Sequence, residues 1–426
     1  GIGSDAIQVS WEIAEDDNFA RIVQTGTADA LPSLGYSVHA EVNGLLAGRD
    51  YFYRLIAGDD VSPVGRTRTA PALDAANDRL DFAFISCQHY EQGYYTALEH
   101  LAQEPVDLIV HLGDYIYETG TVAGRPRSHG GPEVVSLDQY RDRYALYRSD
   151  AGLQAAHLSA PWIVTTDDHE VDNNYANDVA DDDQSPAALL LRRAAAYQAF
   201  YEFMPLRRSS MPSGPDMRLY RRLRFGSLLE MNVLDTRQYR SDQPCGDRFK
   251  PTCPEHVDPD RSLLGTAQRD WLLQGFADAS AQWNVLAQQV LFARFRNVTA
   301  GQVETWSMDK WDGYPADRQR VLEAMLATGL TNPIVLTGDI HSNWVARLLR
   351  DFDDENSEVV ATEFTGTSVS SGGNGEPEAA IGANALPHNP HFDFYNSQRG
   401  YVLASVTPDV WTSTYRIVSE VETPGG

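Results

Sequence analysis

Several short apolar runs of the sequence are each followed by a residue type that binds metal ions. The four runs and the residues that follow them are 82–86 with Cys87, 108–112 with Asp114, 162–165 with Asp168, and 334–337 with Asp339 and His341. Open α/β folds place their ligands at the carboxyl ends of strands, so these side chains are expected at one edge of a sheet. Sulfur, oxygen and nitrogen donors brought together in this way predict a metal site.

Each of these residues has a more ordinary interpretation when it is taken alone. A lone buried Cys such as Cys87 is more often a small apolar residue than a ligand. An Asp that follows a Gly, as Asp114 does, is more often a turn residue or a helix N-cap. We infer a metal site because the same position after a strand is filled by a ligand type four times over.

The spacing within two of these segments has a physical interpretation. In the segment 113–117, Gly113 lets the backbone approach a cation closely, and Asp114 can bridge two cations with its two oxygens. The chain then turns, so that the phenolate of Tyr117 can reach the same metal. Asp339 and His341 are two residues apart, which places both side chains on one side of an extended segment.

The elements that would position these residues alternate between strands and helices. A helix predicted at 93–102 lies between the first two buried strands, which makes a βαβ unit with strands buried on both faces. A further buried strand is predicted at 284–287, and further helices at 187–202, 266–279 and 315–328. We place this α/β domain at residues 80–420.

Residues 1–72 have a different pattern, which predicts a separate β-domain. Apolar and polar residues alternate with a period of two at 7–13, 36–42 and 51–55, with glycines between them. Several short antiparallel strands at this spacing indicate a small β-sandwich.

Charge and cysteine placement restrict the partners and the compartment. The 426 residues carry a formal net charge of -26, which opposes binding to nucleic acids or anionic lipid surfaces and favours a monomer. No apolar run is long enough to span a membrane. Cys245 and Cys253 lie eight residues apart in a polar loop, which favours a disulfide, with two unrelated thiols as the alternative. A disulfide would indicate a secreted, periplasmic or cell-surface protein.

The motifs together resemble the alkaline phosphatase D family (PhoD), a branch of the calcineurin-like and purple acid phosphatase superfamily. The resemblance also extends over residues 1–72 and covers essentially the whole chain. The matching segments are 86–88, 113–118, 167–174, 234–240, 338–341, 363–371 and 389–391.

The resemblance implies an αββα four-layer metallophosphoesterase sandwich, preceded by a fibronectin-like β-sandwich. It also implies a ferric ion held by four residues, Cys87, Asp114, Tyr117 and His341. One or two calcium ions would be held by Asp114, Asp168, Asn173 and Asp339, with Asp167 as the alternative to Asp168. Thiolate, phenolate and imidazole suit a transition metal and an all-oxygen set suits calcium, while a zinc pair remains the alternative.

The expected reaction is hydrolysis of a phosphate ester by attack of a metal-bound hydroxide on phosphorus. His169, Asn173 and Arg237 are the candidates for orienting the phosphate or protonating the leaving group. Their alternative roles are support of the ligands and, for Arg237, a structural ion pair. The substrate would be a phosphorylated small molecule or lipid, with monoester or diester left open.

Three other functions compete with this one. A phospholipase D-like phosphodiesterase acting on lipid head groups is the enzymatic alternative. A binding module attached to a degenerate second domain is another, although the complete ligand set argues against it. A storage or structural metal site would not need the open coordination positions that water and substrate require.

Overall fold

The chain begins with an antiparallel sheet in the computed structural model, which describes residues 5–298, 303–375, 382 and 385–425. Strand β1 lies between β2 and β3, and the short strands β4 and β5 both pair with β3. The five strands are β1 Ile7–Ala14, β2 Ile22–Ala30, β3 Asp50–Ala57, β4 Asp60–Val61 and β5 Gly65–Arg68.

The strand predicted at 36–42 is wrong, because this segment is irregular and packs on the second domain instead. The His39 ring stacks on Tyr201 at 4.1 Å between centroids, and His39 Nδ1 lies 2.9 Å from the carbonyl oxygen of Leu206. The backbone N–H of Arg208 donates to Glu41. The five strands of residues 5–72 form one sheet, so a second sheet facing it is not seen in this range.

The second domain contains six α-helices among the described residues, together with the remaining strands. The helices are α1 Thr96–Leu101, α2 Leu137–Arg148, α3 Ala151–Ser159, α4 Pro186–Phe203, α5 Gly265–Asp278 and α6 Pro315–Thr328. The strands are β6 Leu80–Ile85, β7 Leu108–His111, β8 Trp162–Val164, β9 Arg221–Phe225, β10 Leu229–Val233, β11 Phe249–Lys250, β12 Trp283–Ala287, β13 Asn297–Val298, β14 Glu304–Ser307, β15 Pro333–Thr337, β16 Asn343–Leu349, β17 Val359–Thr365, β18 Phe392–Asn396, β19 Gly400–Val406 and β20 Trp411–Ile417.

Two large mixed sheets form the framework of this domain. One has five strands in the order β20-β19-β6-β7-β8, and β6, β7 and β8 are parallel. The other has seven strands in the order β18-β16-β17-β15-β12-β10-β9, with β10, β12, β15 and β17 parallel. Strands β11, β13 and β14 form a small separate sheet.

Alternate residues of the central strands enter different hydrophobic clusters. Phe82 and Phe84 of β6 belong to a cluster that also contains Val285 of β12 and Leu336 of β15, so both large sheets contribute to it. Ala83 and Ile85, on the other face of β6, belong to a cluster that also contains residues of α1, α2, α3 and α4. The seven-stranded sheet contributes to a third cluster, which contains residues of α5 and α6. The strands are therefore apolar on both faces, as the unbroken apolar runs predict.

Most of the elements expected from the sequence are present. The predicted βαβ unit is confirmed as β6, α1 and β7, with β6 and β7 parallel. The helices predicted at 187–202, 266–279 and 315–328 are confirmed as α4, α5 and α6. The predicted disulfide between Cys245 and Cys253 is also present, with 5.8 Å between Cα atoms. Within the described part of the chain, no helix is long and apolar enough to cross a membrane.

Candidate metal centre

The residues expected to bind metals lie in tight turns just beyond the strand ends. Cys87, Asp114, Asp339 and His341 all have left-handed backbone conformations, with φ between 54° and 60°. The prediction that Asp339 and His341 share one side of an extended segment is therefore wrong. Asp339 and His341 both have left-handed conformations, so the chain turns at this point, and the turn determines the direction of their side chains.

The centre lies where both large sheets end, rather than at the edge of one sheet as predicted. Cys87, Asp114 and Asp168 follow the neighbouring strands β6, β7 and β8 of the five-stranded sheet. Asp339 and His341 follow β15 of the seven-stranded sheet. The carboxyl ends of parallel strands carry the donors, as expected, but two sheets contribute them.

Two glycines allow the strand-end turns to approach one another. A Cβ at Gly113, whose φ is +109°, would lie 2.5 Å from the backbone nitrogen of Asp167. A Cβ at Gly338 would lie 2.6 Å from Ser86 Oγ. Gly113 thus joins the turns after β7 and β8, and Gly338 lies against the segment that leads to Cys87.

One group of possible ligands contains sulfur, oxygen and nitrogen donors. Ligand atoms of Cys87, Asp114 and His341 all lie within 4.8 Å of one another. Tyr117 Oη donates to Asp114 Oδ2 at 2.9 Å and lies 3.4 Å from His341 Nε2. The chain turns after Asp114, and the Tyr117 oxygen reaches back to the same place.

A second group shares Asp114 and consists of Asp114, Asp168 and His169, again within 4.8 Å. Asp339 lies outside both groups, and its carboxylate accepts a hydrogen bond from Lys310 Nζ. Lys310 is a residue that the sequence interpretation missed, since a lone Lys after a polar turn has no distinctive spacing.

The two candidate aspartates after β8 have different surroundings. Asp168 Oδ2 accepts the backbone N–H of Asn174 at 2.7 Å. Asp167 Oδ1 instead accepts from Arg237 Nε at 2.6 Å. Burial alone would raise the pKa of Asp168, but Arg237 and His169 hold that pKa below its ordinary value.

Arg237 is fully buried and paired with carboxylates on two sides. Besides Asp167, it donates through Nη1 to Asp309 at 2.6 Å, and Asp309 also pairs with Arg240 at 2.7 Å. A side chain with no solvent exposure in this network has the contacts of a structural ion pair.

Asn173 makes its hydrogen bonds away from the two groups. Its backbone N–H donates to Glu118 at 3.0 Å, and its side-chain amide donates to Asp181 at 3.0 Å. Its assignment as a calcium ligand remains a prediction.

Glu118 also binds His169 and was missed from the sequence. Glu118 Oε2 lies 2.7 Å from His169 Nδ1, and the carboxylate is almost fully buried. Burial opposes the charged imidazolium, but Glu118, Asp168 and Asp114 together raise the pKa of His169 well above its usual value. The His169 ring also packs against the Tyr117 ring, with 4.1 Å between centroids and 32° between the ring planes.

Glu170 holds the turns after β7 and β8 together and was also missed. Its fully buried carboxylate accepts the backbone N–H groups of Tyr115 at 2.6 Å, Asp167 at 2.9 Å and Asp114 at 3.2 Å. Burial raises the pKa of Glu170 to about 8, whereas these three donors favour the ionised form.

The donors fit metal ions because several of them lack other partners. The buried oxygens Asp114 Oδ1, Asp167 Oδ2 and Asp168 Oδ1 have no hydrogen-bond partner in the described structure. Buried carboxylate oxygens are normally paired, and a cation satisfies them. Burial and neighbouring negative charge raise the pKa values of Cys87, Asp114 and Tyr117 well above their usual range. A bound cation reverses that balance.

The chain is similar to known phosphatases over most of its length. Residues 82–415 match the family model for the PhoD-like phosphatase, and residues 3–71 match the model for the PhoD-like phosphatase N-terminal domain. Alkaline phosphatase D of Bacillus subtilis (strain 168) is 50% identical over 430 residues, which cover 100% of this chain and 74% of that protein.

A solved structure described as "Structure of PhoD" superposes with a TM-score of 0.97 at 50% identity. The match covers 100% of this chain and 82% of that one. The two family models together span most of the sequence, and the similarity to alkaline phosphatase D extends over all of it. The chain is a phosphoesterase and belongs to the PhoD-like phosphatase family.

Proposed function

We propose that this phosphoesterase depends on metal ions bound where the two large sheets end. The observation that carries the proposal is the convergence of a thiol, a carboxylate and an imidazole within 4.8 Å, with Tyr117 Oη beside them. Cys87, Asp114, Tyr117 and His341 would hold Fe³⁺, because soft and aromatic donors suit a transition metal. Zinc is the less suitable substitute, since tyrosine rarely binds it.

The oxygen-rich side of the centre suits calcium. Asp114 would bridge to it, and Asp168 and Asp339 would bind one or two Ca²⁺, with Asn173 as the remaining candidate. Asp168 is favoured over Asp167 because its carboxylate lies within 4.8 Å of the Asp114 ligand atom, whereas Asp167 Oδ1 is paired with Arg237 at 2.6 Å. When bound, the ions would supply Lewis-acid charge that polarises the phosphate and activates water.

His169 is suited to hold a proton for the leaving group. Glu118 binds Nδ1 of its ring, which orients the imidazole and leaves Nε2 as the second proton site. The Glu118 carboxylate, together with Asp168 and Asp114, raises the pKa of His169, and this favours the protonated ring. It then acts as a general acid.

Two cationic residues have separate roles in this proposal. Arg237 positions Asp167 and, through it, the turn that carries Asp168, because its guanidinium is fully buried among carboxylates. Lys310 borders the centre and retains some exposure, with 15% of its side chain accessible. Its ammonium would attract a phosphate in a chain whose net charge is -26.

We also propose the layering of the second domain, the cellular location and the oligomeric state of the protein. Three hydrophobic clusters, one of them shared by both large sheets, support the αββα four-layer arrangement. A fibronectin-like sandwich has less support, because residues 5–72 contribute a single sheet. The Cys245–Cys253 disulfide supports a secreted, periplasmic or cell-surface location. The net charge supports a monomer that does not bind nucleic acids.

Hydrolysis of p-nitrophenyl phosphate and bis-p-nitrophenyl phosphate tests the activity and distinguishes monoesters from diesters. The relatives are described as phosphatases, so a phospholipase D-like activity is not favoured. We expect turnover that is lost on metal removal and restored by Fe³⁺ with Ca²⁺. Full turnover in thoroughly metal-free protein would refute the metal dependence.

Metal analysis with a visible spectrum tests the ligand assignment. We expect iron with a charge-transfer band that disappears in Cys87→Ala or Tyr117→Phe. Active protein containing zinc alone would overturn the iron assignment.

A further inference from the structure

Ser371 contacts the Tyr117 oxygen and is not one of the proposed metal ligands. It belongs to the segment 363–371 that matches the family motif, and its side chain is fully buried. Ser371 Oγ lies 2.7 Å from Tyr117 Oη and 2.8 Å from the carbonyl oxygen of Cys87. The backbone N–H of His89 donates to Ser371 Oγ at 3.1 Å.

The hydroxyl of Ser371 has a single proton for two possible acceptors. When Tyr117 is a phenol, its own proton goes to Asp114 Oδ2, and Ser371 can donate to the Cys87 carbonyl. When Tyr117 is a metal-bound phenolate, its oxygen can only accept. A hydrogen bond to that charged oxygen is about twice as strong as a neutral one. The Ser371 hydroxyl therefore rotates and donates to the Tyr117 oxygen.

The Cys87 carbonyl and the His89 N–H both stay paired after this rearrangement. The Cys87 carbonyl keeps the backbone N–H of Ser371 at 3.2 Å and that of Ser370 at 3.4 Å. The His89 N–H continues to donate to Ser371 Oγ, because that bond uses a lone pair and not the proton.

We propose that Ser371 is a positioning residue of the metal centre, whose hydroxyl donates to the Tyr117 oxygen when that oxygen binds the metal. The hydrogen bond orients the phenolate and withdraws electron density from it. Hydrogen-bonded partners of metal ligands usually affect metal affinity strongly, by about 10- to 100-fold. The inference rests on the proposed assignment of Tyr117 as a ligand.

Ser370 is a matched control for Ser371. It is equally buried and is the adjacent residue, but its hydroxyl donates to the carbonyl of His89 at 3.0 Å. Ser371→Ala and Ser370→Ala therefore each remove one buried hydroxyl, and only the first removes a contact with Tyr117.

The experiment compares metal retention and visible spectra of the metal-loaded parent, Ser371→Ala, Ser370→Ala and Tyr117→Phe. Metal content is measured during titration with a chelator. We expect Ser371→Ala to lose the transition metal at a chelator concentration about 10-fold or more below that needed for the parent. Its charge-transfer band should move to longer wavelength. Ser370→Ala is expected to match the parent in both measurements.

The outcomes separate this inference from the proposed function. If Tyr117→Phe weakens retention while Ser371→Ala behaves as Ser370→Ala does, the role of Ser371 is overturned and the ligand assignment stands. If Tyr117→Phe leaves retention unchanged, both fail together. Should Ser371→Ala not fold, Ser371→Cys retains the side-chain shape with a weaker donor, and parent-like retention and spectrum in that variant would overturn the inference.

Discussion

Replacing Glu170 by Ala should loosen the metal centre and destabilise the whole domain. Its carboxylate accepts three backbone N–H groups, those of Asp114, Tyr115 and Asp167, and all three lie in buried turns. Asp114 is a proposed ligand, and Asp167 immediately precedes another. The variant would leave all three donors unpaired.

The magnitude follows from the number and kind of these hydrogen bonds. Each buried donor left unsatisfied costs about 1–3 kcal/mol, which would make roughly 3–9 kcal/mol for three. Water can enter the space left by the carboxylate and satisfy some of them, so we expect a loss of about 4 kcal/mol. Glu170→Gln keeps one oxygen for the Asp114 and Asp167 donors but turns an amide NH₂ toward the Tyr115 N–H. We expect a loss of about 2 kcal/mol from that variant.

The assay is the free energy of unfolding in urea. It is measured on metal-free protein, so that weaker metal binding by the variants does not add to the measured loss of stability. Glu355→Ala is the control, because Glu355 is exposed and the same side chain is removed. Metal retention is then measured separately, and it should fall in the order parent, Glu170→Gln, Glu170→Ala. Unfolding free energies within about 0.5 kcal/mol of the parent for both Glu170 variants would refute the reasoning.

Three further changes test other parts of the centre and the disulfide. Glu118→Gln should lower kcat about 10- to 100-fold with little change in KM, because His169 loses its orienting carboxylate; an unchanged kcat for p-nitrophenyl phosphate would contradict this. Lys310→Met should raise KM more than it lowers kcat, while Lys310→Arg should stay near the parent; steady-state kinetics that show no KM change would exclude a role in phosphate binding. Cys245→Ser with Cys253→Ser should lower the unfolding free energy by about 2.5 kcal/mol, from the length of the closed loop. The denatured parent should titrate as one free thiol, and three thiols would contradict the disulfide.

The sequence predicts much of the framework because its signals are local. Unbroken apolar runs indicate strands that are covered on both faces, and β6, β7, β12 and β15 are such strands. The failure at 36–42 has a physical cause. The segment contacts the second domain through His39 and Glu41, the polar members of the alternation, so it follows that surface and does not join the sheet.

The residues missing from the sequence-based site have no spacing that would reveal them. Glu118, Glu170 and Ser371 act on residues that are distant along the chain, such as His169 for Glu118 and Tyr117 for Ser371. Ligand types after strands can be identified from a single sequence. The hydrogen bonds that orient them depend on turns from different strands, which a linear pattern does not describe.

The turns themselves explain why the ligands need this support. A left-handed conformation at a residue other than Gly costs about 1–2 kcal/mol, and four proposed ligands adopt it, at φ values of 54° to 60°. Burial raises the pKa of Asp114, and repulsion from the neighbouring carboxylates of Asp168, Asp167 and Glu170 raises it further. Both costs favour opening of the turns and are opposed by the Glu170 hydrogen bonds and the Arg237 ion pairs. Bound cations would remove the repulsion but not the backbone strain. We therefore expect Glu170 and Arg237 to support the proposed ligands even when metal ions are bound.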